Sequence, residues 1–149
     1  MAGTQTYSFL NVQAAITGAG GTISLGQGAA VADEGITVET NTDSASATIG
    51  ADGNGMTSLH ADNSATVTVR LLKTSPVNAL LMAMYNFQRG NPSLAGANVI
   101  SVQNTASGDN VSCSGVSFKH RPRTAYGKDG DVMEWTFNSI RTDIVLGVY

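Results

Sequence analysis

Residues 65–72 read ATVTVRLL, with Val67, Val69 and Leu71 alternating against Thr66, Thr68 and Arg70. Successive side chains of a β-strand point to opposite faces, so this pattern predicts a strand with one buried and one wetted face. Ile36-Thr37-Val38-Glu39 repeats it, with Thr37 and Glu39 on the face opposite Ile36 and Val38. Further short strand-like runs fall at residues 8–12, 22–25, 45–49, 56–60, 99–102, 110–118, 132–137 and 140–146. Turn chemistry separates them. Gly18-Ala19-Gly20-Gly21 and Gly50-Ala51-Asp52-Gly53-Asn54-Gly55 supply the positive φ angles of tight reversals. Many short strands between Gly and Asn turns exclude a helical bundle and predict a mainly β fold, a two-sheet sandwich or barrel of antiparallel strands.

One helix interrupts the period of two. It is expected from about Pro76 to Arg89, capped by a side-chain oxygen of Thr74 or Ser75 and stopped by Gly90-Asn91-Pro92. Leu80, Met84 and Phe87 share one face at helical spacing, with Val77, Leu81 and Tyr85 beside them, and this face is expected to pack on the sheet. Asn78, Ala79, Met82, Ala83 and Asn86 lie on the far side. Between Lys73 and Arg89 there is no charged side chain. A surface helix normally keeps a charged face for water, so the bare side of this one asks for a protein neighbour.

The rest of the chain is built the same way. Charged residues are 13% of the 149, about half the usual share, and small polar residues replace them. A net charge of −3 gives no general attraction to nucleic acid or anionic membrane. The longest apolar run, residues 79–85, is too short to cross a bilayer, and MAGTQT does not read as a signal peptide, so no membrane anchoring is expected. A single cysteine, Cys113, leaves no internal disulfide and reads as a small strand residue. The charge is unevenly placed. Residues 1–69 hold no Lys or Arg but carry Asp33, Glu34, Glu39, Asp43, Asp52 and Asp62, whereas all eight basic residues come from Arg70 onward. In a homo-oligomer, an acidic and a basic half favour head-to-tail contacts.

Catalytic and metal patterns fail on inspection. Gly18-Ala19-Gly20 and Gly26-Gln27-Gly28 begin dinucleotide-type motifs, but Ile23 and Val31 stand where the third glycine belongs. Asp52-Gly53-Asn54-Gly55-Met56 starts like a calcium loop, yet Met56 replaces an oxygen ligand and no Glu closes it. His60 and His120 have no third ligand at metal spacing. Asn110-Val111-Ser112 is a formal glycosylation sequon without a secretory context. Lys119-His120-Arg121-Pro122-Arg123 is a basic cluster without interleaved aromatics, better suited to an acidic protein neighbour than to nucleic acid. No catalytic residue, cofactor or metal is expected, and the chain does not read as an enzyme.

Several segments together carry a family likeness: ITVET, TIGADGNGMTSLHADNSATVTVRLLKTSPVNALLMAMYNF, AYGKDGDVMEWTF and RTDIVLG. They resemble the tail-tube proteins of contractile-tailed bacteriophages, most specifically over residues 65–78, and the likeness runs from YSFLNVQ onward. It implies a single tail-tube domain over residues 1–149, related in fold to the tube proteins of type VI secretion. It also implies hexameric rings whose sheets join into a continuous barrel and stack into a hollow tube. The implied partners are further copies of the chain, a sheath, a tape-measure protein, baseplate and terminator proteins, and DNA that passes without specific binding. The implied place is the virion tail, assembled in the host cytoplasm.

On that reading Thr37, Glu39, Thr66, Thr68 and Arg70 are candidates for the lumen wall, with Glu39 the expected partner of Arg70. Asp43, Asp52, Asn54, His60 and Asp62, with Lys119, Arg121 and Arg123, are candidates for contacts between subunits or rings. The polar, Gly-rich segment 40–64 is expected to be held weakly by its own core. Two rivals stay open: a β-rich baseplate, decoration or adhesin module, and a tube subunit of a phage-like secretion system. The first calls for exposed aromatic anchors in loops, and aromatics are only 6% of this chain.

Overall fold

The computed structural model describes residues 5–26 and 31–148, with the backbone alone for 31–34. A short 3₁₀ turn, Phe9–Asn11, leads into β1 (Val12–Gly18) and β2 (Gly21–Ser24). There follow β3 (Val31–Thr40), β4 (Ala45–Ile49), β5 (Gly55–Leu59), β6 (Ala65–Leu72) and α1 (Val77–Arg89). The chain then forms β7 (Asn98–Asn104), β8 (Asp109–His120) and β9 (Val132–Val145). Seven strands make one antiparallel sheet in the order β2-β1-β7-β8-β9-β6-β3, and β4 pairs with β5 in a second. Among the described residues the fold is mainly β, with two antiparallel sheets and one α-helix, sandwich-like and not a closed barrel.

The long β8–β9 ribbon organises the large sheet. Its register is constant from Asn110↔Val145 to Phe118↔Phe137, but its inward face changes parity on the way. Cys113 and Thr142 are cross-strand partners and both buried; so are Val116 and Ser139, three residues further along each strand. Between them the backbone at Gly115 takes φ +62, and a Cβ there would sit 3.0 Å from the Cβ of Ile140. Glycine therefore permits a corner at which both strands turn their buried side over together. The Ser139 hydroxyl lies 2.9 Å from the Arg141 carbonyl oxygen and accepts from the Thr142 hydroxyl at 3.0 Å, which satisfies polar groups that the bend would otherwise bury unpaired. One arm of the ribbon then carries β7, β1 and β2, and the other carries β6 and β3.

Both ends of this sheet contribute to a single core. Ala14, Ile16, Ile23 and Leu25 pack in the same cluster as Val67, Val69, Leu71, Trp135 and Phe137. The helix adds Val77, Leu81 and Met84. The observed buried helical stripe, Val77, Leu81, Met84 and Gln88, is rotated from the expected one: Leu80 is 53% and Phe87 58% exposed. The cause is polar. Gln88 and Asn98 exchange two amide hydrogen bonds at 2.7 and 2.9 Å, and Asn98 also donates to the Val116 carbonyl at 3.0 Å. At the other end Trp135 donates to Asn78 Oδ1 at 3.0 Å, and Asn78 donates to the Leu72 carbonyl at 2.9 Å. These two amides set the helix rotation, because a buried amide must find partners while a leucine needs only cover.

Smaller expectations are also adjusted. Residues 9–11 form the 3₁₀ turn, with Ser8 capping it, rather than a strand, and the two expected C-terminal strands are one continuous β9. The Ser75 hydroxyl accepts from the Val77 amide at 3.3 Å, as expected of a cap, with Pro76 just outside the helix. Gly90 keeps helical angles (φ −72), so the stop does not come from a left-handed glycine.

Candidate assembly surfaces

The alternation of β6 becomes a sheet face through its neighbours' register. Thr37 pairs with Thr68, which pairs with Thr136; Glu39 pairs with Thr66, which pairs with Asn138. Asn138 continues to Ser117 and Thr136 to His120 on β8. Four adjacent strands thus present one small-polar face, directly behind the buried Val67, Val69, Trp135 and Phe137. All five residues expected at a lumen wall lie on it.

Arg70 sits at one end of this face and donates from Nε to Glu134 Oε2 at 3.1 Å. Its partner is not Glu39. Glu39 pairs opposite Thr66, four residues from Arg70 along β6, or roughly 13 Å at strand rise. Glu134, not among the residues expected on this face, is the one that pairs with Arg70. Its position directly before the buried Trp135 is visible in the sequence, but the pairing of β6 with β9 is not. Arg70 and Glu134 offset each other, and Glu39 leaves the face weakly acidic.

The β4–β5 hairpin stands off the body. Every residue of both strands is exposed, including Ile49, Met56 and Leu59 at 68, 61 and 84%. Its structure is local. At the tip, the Gly50 amide donates to the Asn54 carbonyl at 2.6 Å, and Asp52 accepts from the Asn54 backbone and side chain at 3.1 and 2.7 Å. At the base, Asp62 accepts from the Ser64 amide at 2.8 Å and the Thr42 hydroxyl at 3.2 Å, while the His60 ring meets the Asp43 carbonyl oxygen at 2.8 Å. The backbone N–H groups of Asn54 and Ser64 hold the carboxyls of Asp52 and Asp62 below their ordinary range. The hairpin is the expected reversal, and its tip carbonyls and carboxylate are used in the turn rather than aimed at a cation.

Lys119 lies at the end of β8, and Arg121 and Arg123 in the loop that follows it, on the other side of β9 from β6. The arm leaves from the end where Thr40, Ala65 and Ser139 pair, whereas the loop after β8 returns where Leu72 pairs with Val132. β8 ends at His120 opposite Thr136, which pairs with Thr68 midway along β6, so the basic cluster begins roughly 10 Å along the strands from the arm. Lys119, Arg121 and Thr124 border a groove against Met82 and Tyr85 of α1, with no carboxylate in its lining. The guanidiniums of Arg89 and Arg121 each stand 5.9 Å from the Tyr85 ring centroid. Arg123 faces elsewhere, toward Asp131 and Glu134. Lys73 covers the Tyr126 ring and donates to the Ala125 carbonyl, fixing the loop.

Among the described residues no cluster of His, Cys, Asp or Glu could hold a metal ion, and no helix is long and apolar enough to cross a membrane. Burial raises the pKa of the Cys113 thiol, which suits a packing role.

Solved structures place this fold. A chain of the anti-feeding prophage cap, the tube-terminating cap, aligns over 99% of this chain and 95% of its own with a TM-score of 0.61 at 13% identity. A chain of the sheath/tube terminator of the extracellular contractile injection system PVC aligns over 97% and 99%, with a TM-score of 0.59 at 17% identity. A chain of the PVC sheath–tube complex in the extended state aligns over 90% and 88%, with a TM-score of 0.52 at 12% identity. The fold is that of the tube and terminator proteins of contractile injection systems. Among curated protein sequences none matches significantly. The family model described as bacteriophage PhiTE tail tube protein matches residues 4–147, and the chain belongs to that family. It is a structural component of a phage tail, not an enzyme.

Proposed function

We propose that this protein is the repeating subunit of an inner tail tube, closing into hexameric rings that stack around a lumen. The lumen holds the tape-measure protein during assembly and passes DNA at ejection. A sheath surrounds the tube, baseplate and terminator proteins bound its ends, and assembly takes place in the host cytoplasm. The observation that carries the reading is the four-strand polar face around Thr37, Thr66, Thr68 and Glu39. Hydroxyls and a weak negative charge wet a channel without binding phosphate, which a conduit for DNA requires. The sheet also ends in β2 on one side and β3 on the other. Two unlike edges on one sheet suit a heterologous contact that closes into a ring and leaves no edge exposed.

Negative-stain microscopy of the purified protein tests this. Hollow tubes or six-membered rings are the expected result, and monomers at every concentration and salt, with or without tail initiators, would overturn it. A second reading has one observation in its favour: the two terminator chains superpose better, at TM-scores of 0.61 and 0.59, than the chain from the sheath–tube complex at 0.52. Rings that cap preformed tubes and never elongate would establish that role instead.

A further inference from the structure

Where β8 runs on past β7 it has a free edge. β7 pairs with β8 only as far as Val116, opposite Asn98, while β8 continues along β9 to His120. Among the described residues no strand lies on the other side of residues 117–120. A trough follows that edge instead, between Ser117 and Lys119 of β8 and Tyr85 and Arg89 of α1, and runs on to Arg121. No carboxylate lines it. Among the described residues the salt bridges are Arg70–Glu134 and Arg141–Asp143, so Arg89, Lys119 and Arg121 are in neither.

The edge strand on the far side of the same polar face is the complement of this trough. β3 pairs with β6 from Ile36 to Thr40 and again at Val31, and the four residues between, Ala32-Asp33-Glu34-Gly35, bulge opposite Arg70 alone. Gly35, at φ 62, permits the excursion. The strand carries Asp33, Glu34 and Glu39 and no Lys or Arg. A bulged, charged edge refuses a copy of itself, and two troughs with three cations each refuse one another. Edge and trough attract. Within one chain β6 and β9 hold them apart by three strand spacings, roughly 14 Å, so a subunit cannot satisfy itself.

Direction agrees with charge. β3 is antiparallel to β6, and both β6 and β8 are antiparallel to β9, so β3 runs antiparallel to β8. A second copy rotated about an axis along the strands brings its β3 to the free edge of β8 in the sense the sheet already uses. The bulge and the basic segment both lie toward the same end of the face, at and beyond the row Thr37–Thr68–Thr136–His120. β2, the other sheet edge, is four residues without a charge and offers β3 nothing to select. We infer that the β3 bulge is the element by which one subunit selects the next: it lies at the trough of a second copy, its negative charge against Lys119, Arg121 and Arg89, and that charge bars β3 from pairing with a like edge. The inference rests on the ring reading and adds which edges meet and why others do not.

Charge exchange tests it in the full chain. Asp33→Lys with Glu34→Lys makes both edges basic, and Lys119→Glu with Arg121→Glu, at exposed positions, makes both acidic. Each variant alone is expected to self-associate at least about tenfold more weakly than the unmutated protein in sedimentation velocity. The equimolar mixture is expected to recover association to within about threefold, with the two chains at equal amounts, since a six-membered ring admits strict alternation. Trp135 emission reports whether each variant is folded, and Glu34→Lys and Arg121→Glu alone replace a pair that is not. A variant that assembles alone as the unmutated protein does, or a mixture that associates no better than its parts, overturns the inference. Tubes from the unmutated protein beside either result leave the tube role standing. A complex in the mixture without rings or tubes from the unmutated protein supports the edge pairing alone.

Discussion

Replacing Glu134 by Gln is expected to leave the subunit folded and to make its polar face hold DNA. The Arg70–Glu134 side chains are 27 and 51% exposed, so water already screens the pair, and its contribution to stability is about 0–1 kcal/mol. For a chain of this size each kcal/mol moves the melting temperature by about 2–4 °C, so the loss stays within about 4 °C. Fluorescence of Trp135, the sole tryptophan and fully buried, reports it directly. The change on the polar face is larger than the change in stability. Gln still accepts from Arg70 Nε, but in the proposed ring each subunit would present a guanidinium whose charge no carboxylate offsets. Each phosphate it neutralises steepens the fall of log affinity with log salt by roughly 0.9. Assembled tubes are therefore expected to retain labelled duplex DNA at low salt and release it as salt rises, and particles carrying the variant to eject slowly. Glu39→Lys, which places an ammonium on the same face, is expected to retain DNA more strongly. Well-formed Glu134→Gln and Glu39→Lys particles that eject at normal rate, with no salt-dependent retention, would show that this face does not meet DNA.

Deleting residues 50–55 is expected to leave the melting temperature nearly unchanged, because the hairpin touches no core, and to stop tube elongation; tubes of normal length would exclude a stacking role. Leu80→Ser and Phe87→Ser are expected to cost about 0.5 kcal/mol or less in the isolated subunit, being more than half exposed, yet to weaken self-association by light scattering. Unchanged association would mean that this side of α1 stays in water. Gln88→Met and Asn98→Leu are each expected to cost about 1–3 kcal/mol in urea unfolding, and the double variant less than their sum by about 1 kcal/mol, since each single change strands a buried amide. Strict additivity would refute the lock. Asp52 and Asp62 titrate below their ordinary value of 3.8 in the folded hairpin. Depressed carboxyls contribute stability above their unfolded pKa and lose it as pH falls through the folded one, so hairpin amides are expected to exchange faster below about pH 4 while the core stays protected. Hydrogen exchange checks this, and equal pH response of hairpin and core would refute it.

Much of the site was legible before any coordinates. The face holding Thr37, Glu39, Thr66, Thr68 and Arg70 followed from alternation alone, because a strand's period is two and its buried half was spelled in Val and Leu. The hairpin turn at residues 50–55 and the helix with no charge were equally plain, since glycine, proline and charge act locally. The acidic and basic halves were countable, although their placement on either side of the β6–β9 pair was not.

What the amino-acid order determined, then, is each element and its two faces. What only the tertiary structure decided is which faces meet. Arg70 is joined to Glu134 and not Glu39 because β6 lies between β3 and β9, a pairing of residues 64 apart that no local signal encodes. The helix turns Leu80 and Phe87 outward because Gln88 must reach Asn98 and Asn78 must reach Trp135. Apolar side chains are interchangeable in the energy they gain from burial, so periodicity leaves the rotation of an apolar helix free within a turn. Directional hydrogen bonds between distant residues remove that freedom, and they exist only once the chain has folded.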